Sequence, residues 1–336
     1  MYSISKTETL VTIATHFSSN LALKFEDDFF NADGFCVAHD GHINYIPLKN
    51  QNKKCKYVPV SRDHLGTGKI KEIKWVKIEF EIYFITLSDL GLHIFDEELA
   101  NIKFVYSFDD FTLDNSCPNG CCVSKDILYV AVDNSKIFAF QCKRNYFQIM
   151  NETNCIFTSF GGSFKSYIVT DHFDAVSLWK TDCHGKLNLI EKSLEGSLYG
   201  TTILKIFPGF VSIGYKTGLL IILETPSLKS LAKPLAHNSD ITDIDFCKNK
   251  NLLLTCSKDM FVKVFKIHDT REDNSSFNLE CLFELENPKK FPYCGAGFLD
   301  PDATEFLTVM SDETLVQIFN GKVDTEELNN EKLFCP

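Results

Sequence analysis

Basic residues are in deficit in this sequence. Lysine and arginine number 34 against 45 aspartates and glutamates, a formal net charge of -11, which opposes general attraction to a nucleic-acid backbone and to an anionic membrane surface. The basic stretch KNQNKKCK at 49–56 runs against this balance and reads as a solvated loop. No apolar run approaches the ~20 residues that cross a bilayer, so membrane insertion is not expected. The most apolar segment, LLIIL at 219–223, has the length of a strand. A charged segment followed by an apolar one is missing from the opening MYSISKTETL. The 13 cysteines are therefore expected as free thiols in a reducing compartment, and the chain as cytoplasmic, with the sequons at Asn151 and Asn274 unmodified.

Catalytic and cofactor signatures are missing too. G-x-S-x-G, H-E-x-x-H and paired C-x-x-C do not occur, and the nine histidines are scattered. LGTGK at 65–69 imitates a phosphate loop, but Asp63 stands where that loop needs glycine and Ile70 where it needs a hydroxyl. The densest thiol cluster, Cys117, Cys121 and Cys122, has no second knuckle elsewhere and reads as a turn leading into a strand. Neither a cofactor nor a metal is expected.

Helical periodicity is nearly absent, and tryptophan and methionine are scarce at two and four residues. The bulky apolar role falls to 30 phenylalanines. Short period-two apolar runs bounded by turn residues fill the chain, which is the pattern of strands. Seven of these runs end on a bulky apolar residue, at Ile46, Phe95, Phe140, Trp179, Leu223, Phe265 and Phe319. Their spacing of roughly 39 to 54 residues brackets the period of four-stranded propeller blades. The expected fold is all-β, a single seven-bladed β-propeller over residues 1–320, followed by an acidic polar tail at 321–336. The seventh unit lacks a fourth strand, and TLVTIAT at 9–15 is a strand without a partner. Borrowing it would close the ring and cover two open sheet edges.

The unit at 236–267 carries a more specific pattern. AHNSDITDIDF, LLLTCSKD and FVKVF resemble the WD repeat, with His237 at the histidine position, Asp259 at the turn aspartate, Thr255 as the strand hydroxyl and Phe265 in place of the usual tryptophan. The resemblance implies a buried hydrogen-bonded tetrad, here shortened by the missing indole N–H. It also implies an intracellular, non-catalytic propeller that acts as a protein-binding scaffold.

Asp40, Asp89, Asp133, Asp171, Asp259 and Asp312 are each expected at the turn between the second and third strands of a unit, and so on one face. They serve either as turn and tetrad aspartates or as an acidic rim that steers a protein or peptide with a basic segment. Phe173, Tyr215 and Tyr293, near strand ends, are candidate anchors or ordinary blade packing. The alternative is an enzyme or small-molecule binder using the central channel, which several converging polar groups would favour. The oligomeric state is left open.

Overall fold

In the computed structural model the described residues are 2–12, 20–25, 31–49, 55–60, 68–108, 118–133, 135–143, 146–157, 159–172, 175–194, 200–270 and 277–321. Outside them lie Phe173, Cys117, residues 50–54 of the basic stretch at 49–56, Asn274 and the tail from 322 onward, while Gly321, expected in the tail, belongs to the last strand.

Every described element is a strand. The first, β1 (Tyr2–Thr9), stands apart from its neighbours in sequence. Blade one is β2 (Leu21–Lys24), β3 (Gly34–His39), β4 (His42–Pro47) and β5 (Lys56–Pro59); blade two is β6 (Ile70–Ile78), β7 (Glu81–Ser88), β8 (Gly91–Phe95) and β9 (Ile102–Tyr106). Blade three holds β10 (Pro118–Ser124), β11 (Ile127–Val132), β12 (Lys136–Lys143) and β13 (Tyr146–Asn154). Blade four holds β14 (Ser159–Phe164), β15 (Tyr167–His172), β16 (Ala175–Thr181) and β17 (Leu187–Ser193). Blade five follows with β18 (Thr201–Phe207), β19 (Phe210–Tyr215), β20 (Leu220–Glu224) and β21 (Ser230–Ala232). Blade six is β22 (Ile241–Cys247), β23 (Leu252–Ser257), β24 (Phe261–Asp269) and β25 (Phe277–Glu286). Blade seven has β26 (Tyr293–Phe298), β27 (Glu305–Met310) and β28 (Leu315–Gly321), and β1 completes it in the order β1-β28-β27-β26.

All strands pair antiparallel with their neighbours, and each blade's first strand touches the first strand of the next around the ring. Seven apolar clusters hold the ring together. Each spans the residues of two adjacent blades, so the core is a set of layers between sheets.

The seven repeat markers occupy one structural position. All lie on third strands and face second-strand partners in register, as Phe35↔Ile46, Phe84↔Phe95 and Phe306↔Phe319 do. In blades two to six the pairing to the fourth strand slips at this residue, at Phe95, Phe140, Trp179, Leu223 and Phe265. The slip is a bulge, which adds one outer residue and increases local twist, so the outer edge can splay from the next blade.

Closure occurs through the N-terminus, but with a different segment from the expected one. The closing strand runs from Tyr2, opposite Gly321, to Thr9, opposite Leu315. TLVTIAT at 9–15 shares only Thr9 with it. The reason is physical: an outermost strand buries little, and residues 3–7 of YSISKTET are exposed, so no apolar alternation marks it. Leu10 instead leaves the sheet and is buried in the cluster between blades seven and one. Tyr2 anchors the strand. Its hydroxyl donates to the Ala303 carbonyl at 2.7 Å, and its ring lies edge-on to Phe306 at 4.9 Å.

Candidate functional site

Blade six builds the best-preserved polar array. Gly218, at φ +81°, opens the way to it: a Cβ there would lie 2.0 Å from the His237 carbonyl oxygen, so only glycine lets the blade-five turn approach. The Gly218 carbonyl accepts from the His237 N–H at 3.1 Å. The fully buried His237 imidazole places Nδ1 at 3.1 Å from Asp259 Oδ2 and Nε2 at 2.8 Å from Thr255 Oγ1. Asp259 also accepts backbone N–H groups of Asn238 at 2.8 Å and Phe261 at 3.0 Å. Burial alone would raise its pKa. The His237 bond and the two amides outweigh that and hold it at about 2.

Phe265 is buried opposite Leu253, two register positions from Thr255. Blade four shows what the phenylalanine replaces. Trp179 sits opposite Ile168, two positions from Thr170, and donates Nε1–H to Thr170 Oγ1 at 2.9 Å. Blade six therefore keeps the His–Asp–Thr portion of the array and blade four the Trp–Thr portion. The same second-strand position is Thr86 in blade two and Thr308 in blade seven, but Val37, Val130 and Ile213 in blades one, three and five.

The turn aspartates divide into groups. Asp40, Asp133 and Asp312 have φ of 44°, 52° and 56°, the left-handed region that aspartate tolerates better than most residues, so the backbone itself accounts for them. Asp40, Asp89 and Asp312 are exposed, while Asp133 is half-buried. These four turns belong to blades seven, one, two and three, which are consecutive around the ring. Asp259 lies in the same turn of blade six but is committed to His237. Asp171 does not occupy a turn. It lies within β15, is 1% exposed, and accepts the Thr201 hydroxyl of blade five. Among the described residues the acidic feature is thus an arc over four blades. Tyr215 and Tyr293 are fully buried within the clusters between blades four and five and between blades six and seven, so neither offers a surface anchor. A blade is covered on both faces, which makes a strand-end aromatic core more readily than rim.

First strands enclose a central cavity of about 520 Å³, lined by residues of six blades. Charged groups converge in it, a feature not expected from sequence, and they act as stitches between blades. Glu72 Oε2 accepts the Cys121 N–H at 2.8 Å, while Lys74 Nζ donates to Glu72 Oε1 at 2.8 Å and to the Cys121 carbonyl at 2.7 Å. On the far side Lys205 Nζ donates to Asp243 Oδ1 at 2.6 Å. Asp243 Oδ2 and Asp245 Oδ2 accept the N–H groups of Ala296 and Phe298 at 3.2 and 2.8 Å. Burial would lower the Lys205 pKa, but the adjacent Asp243 more than reverses this and raises it. The free inner edge of each sheet is where such side-chain partners are needed. The signal was available in the charged residues that interrupt KEIKW, TILKIF and ITDIDF. Cys121 and Cys122 are buried, and burial raises the pKa of both, Cys122 to about 12. Among the described residues no group of three or more His, Cys, Asp or Glu is placed to hold a metal.

Comparison with known proteins places this geometry. A crystal structure of the mitotic checkpoint complex contains a chain that superposes over 95% of this chain and 92% of its own, with a TM-score of 0.73 and 9% identity. The chain has the seven-bladed β-propeller fold. SEC12-like protein 1 of Arabidopsis thaliana is 34% identical over 93 residues, which is 26% of this chain and 23% of that protein. The chain thus spans about a quarter of the length of this curated relative. No family model matches the sequence.

Proposed function

We propose that this propeller is a non-catalytic cytoplasmic scaffold of the WD-repeat type that holds a basic segment of a partner protein. The observation that carries the reading is the acidic arc. Asp312, Asp40 and Asp89 are exposed at equivalent turns of three consecutive blades, Asp133 continues the series, and the chain carries a net charge of -11. The His237–Asp259–Thr255 array supports the WD assignment. SNLALKF, GFVSIGYKTGLLIIL and KDMFVKVFKI further resemble segments of WD repeat-containing protein 54. A solved structural neighbour that belongs to a multiprotein complex agrees with a role in assembly. The 11 described cysteines are free thiols, in keeping with a reducing compartment. The alternative of an enzyme or small-molecule binder draws on the polar groups converging in the channel. Glu72, Lys74, Lys205 and Asp243 are bonded to one another and to neighbouring strands, which favours the structural role and hence the scaffold. No cofactor and no nucleic acid enter the proposed activity.

The test is capture of partners on tagged full-length protein, followed by cross-linking mass spectrometry. Cross-links from partner lysines to the turns at 40, 89 and 312 support the reading. Cross-links confined to the outer strands or to the opposite face refute it.

A further inference from the structure

The opposite mouth of the channel is built differently. Five of the seven first strands end at or next to a phenylalanine: Phe25 follows β2, Phe164 ends β14, Phe207 ends β18, Phe246 lies in β22 and Phe298 ends β26. Together they line a cavity of about 430 Å³. First strands run from the acidic-turn face towards this one, so the two mouths are at opposite ends of the channel. Phe298 is buried, but the other four are only half-buried. Phe207 and Phe246 pack at 5.5 Å between ring centres, which fixes part of the wall. Phe80, 95% exposed at the first turn of blade two, lies on this same face.

One polar group in this wall has acceptor capacity to spare. Asp300 is fully used by its own turn, accepting from Asp302 N, Thr304 N, Thr304 Oγ1 and Glu305 N. Asp245 accepts one N–H at each oxygen, from Phe246 at 2.9 Å and from Phe298 at 2.8 Å, and a carboxylate offers about four acceptor positions. Lys205 donates its hydrogen bond to Asp243, although its charge also acts on Asp245, and Lys248 lies in the same wall. A carboxylate with free lone pairs set among aromatic faces is complementary to a cation on an apolar stem. One ring already shows the preference, since Lys165 Nζ lies 5.4 Å from the centre of Phe164.

We propose that this Phe-lined mouth is a second binding site, which takes a lysine or arginine side chain of a partner protein with its stem against the phenylalanines and its charged head at Asp245. The site is separate from the acidic arc and stands whether or not the arc binds anything.

Saturation-transfer NMR on the full chain tests it, with Nα-acetyl-lysine methylamide and Nα-acetyl-arginine methylamide as probes and the norleucine and citrulline analogues as neutral controls. The charged probes are expected to bind about ten-fold more tightly than the neutral ones. Asp245→Asn should remove about that ten-fold advantage, while Asp40→Asn leaves it intact. Phe25→Ala, at a half-buried position outside any strand, gives a second variant that should weaken binding if Asp245→Asn does not fold. Equal binding of norleucine and lysine probes, absence of binding, or an unchanged affinity in Asp245→Asn or Phe25→Ala would overturn the proposal. Choline binding more tightly than either charged probe would overturn it in favour of a small quaternary ammonium ligand.

Discussion

The strongest constraints on single residues lie in blade six, where His237, Asp259 and Thr255 satisfy one another inside the protein. Replacing His237 or Asp259 by alanine is expected to destabilise the fold by ~1–3 kcal/mol in urea unfolding, because the remaining partner is left buried without its bond. The double variant should be no worse than either single; fully additive losses would show that the two side chains act independently. The depressed Asp259 pKa adds a pH signature. Its folded value of about 2 lies below the usual 3.8, so its contribution is fully present above about pH 4 and is lost as pH falls through about 2. Over that window the native protein should lose about 2 kcal/mol more than Asp259→Asn does. Purified protein is expected to contain well under one zinc per chain by elemental analysis. Stoichiometric zinc lost on Cys121→Ser and Cys122→Ser would contradict the thiol assignment. The blade-six residues were visible in the sequence because the unit at 236–267 resembles the WD repeat, which implies a histidine, a strand threonine and a turn aspartate at these positions. Tyr215 and Tyr293 misled because sequence shows a strand end but not which neighbouring blade covers it.

Among the elements, β1 matters most, since it supplies the outer strand of blade seven from the other end of the chain. Removing residues 1–9 exposes the outer edge of β28 and removes Tyr2 from the cluster between blades six and seven. The melting temperature should fall sharply, whereas replacing polar outward residues such as Thr7 should leave it unchanged. A truncated protein that melts like the full chain would disprove closure through β1. Seven third strands could be read from sequence because each carries a bulky apolar residue at one equivalent position. The closing strand was displaced by seven residues because exposed outer strands carry little apolar pattern. The Phe-lined mouth escaped notice although NLALKF, TILKIF, ITDIDF and CGAGF each place a phenylalanine at or next to the end of a first strand. Only the ring arrangement reveals that these ends converge.

At the scale of the whole molecule, the two faces of the ring differ in chemistry. One carries turn aspartates on consecutive blades; the other surrounds an aromatic mouth. Long-range attraction by the acidic arc is screened beyond ~8 Å at physiological salt, so it should act on encounter rates more than on the lifetime of the complex. Asparagine tolerates the left-handed turn conformation as aspartate does, so Asp→Asn changes charge with little backbone cost. The decisive measurement is therefore the association rate of a captured partner with the native chain and with the Asp40→Asn, Asp89→Asn, Asp312→Asn triple variant, across a salt series, after confirming equal melting temperatures. The scaffold account predicts that association with the native chain slows as salt rises, and that the triple variant associates more slowly with a flatter salt dependence. Identical rates and identical salt dependence would show that the acidic arc is architecture and does not receive the partner.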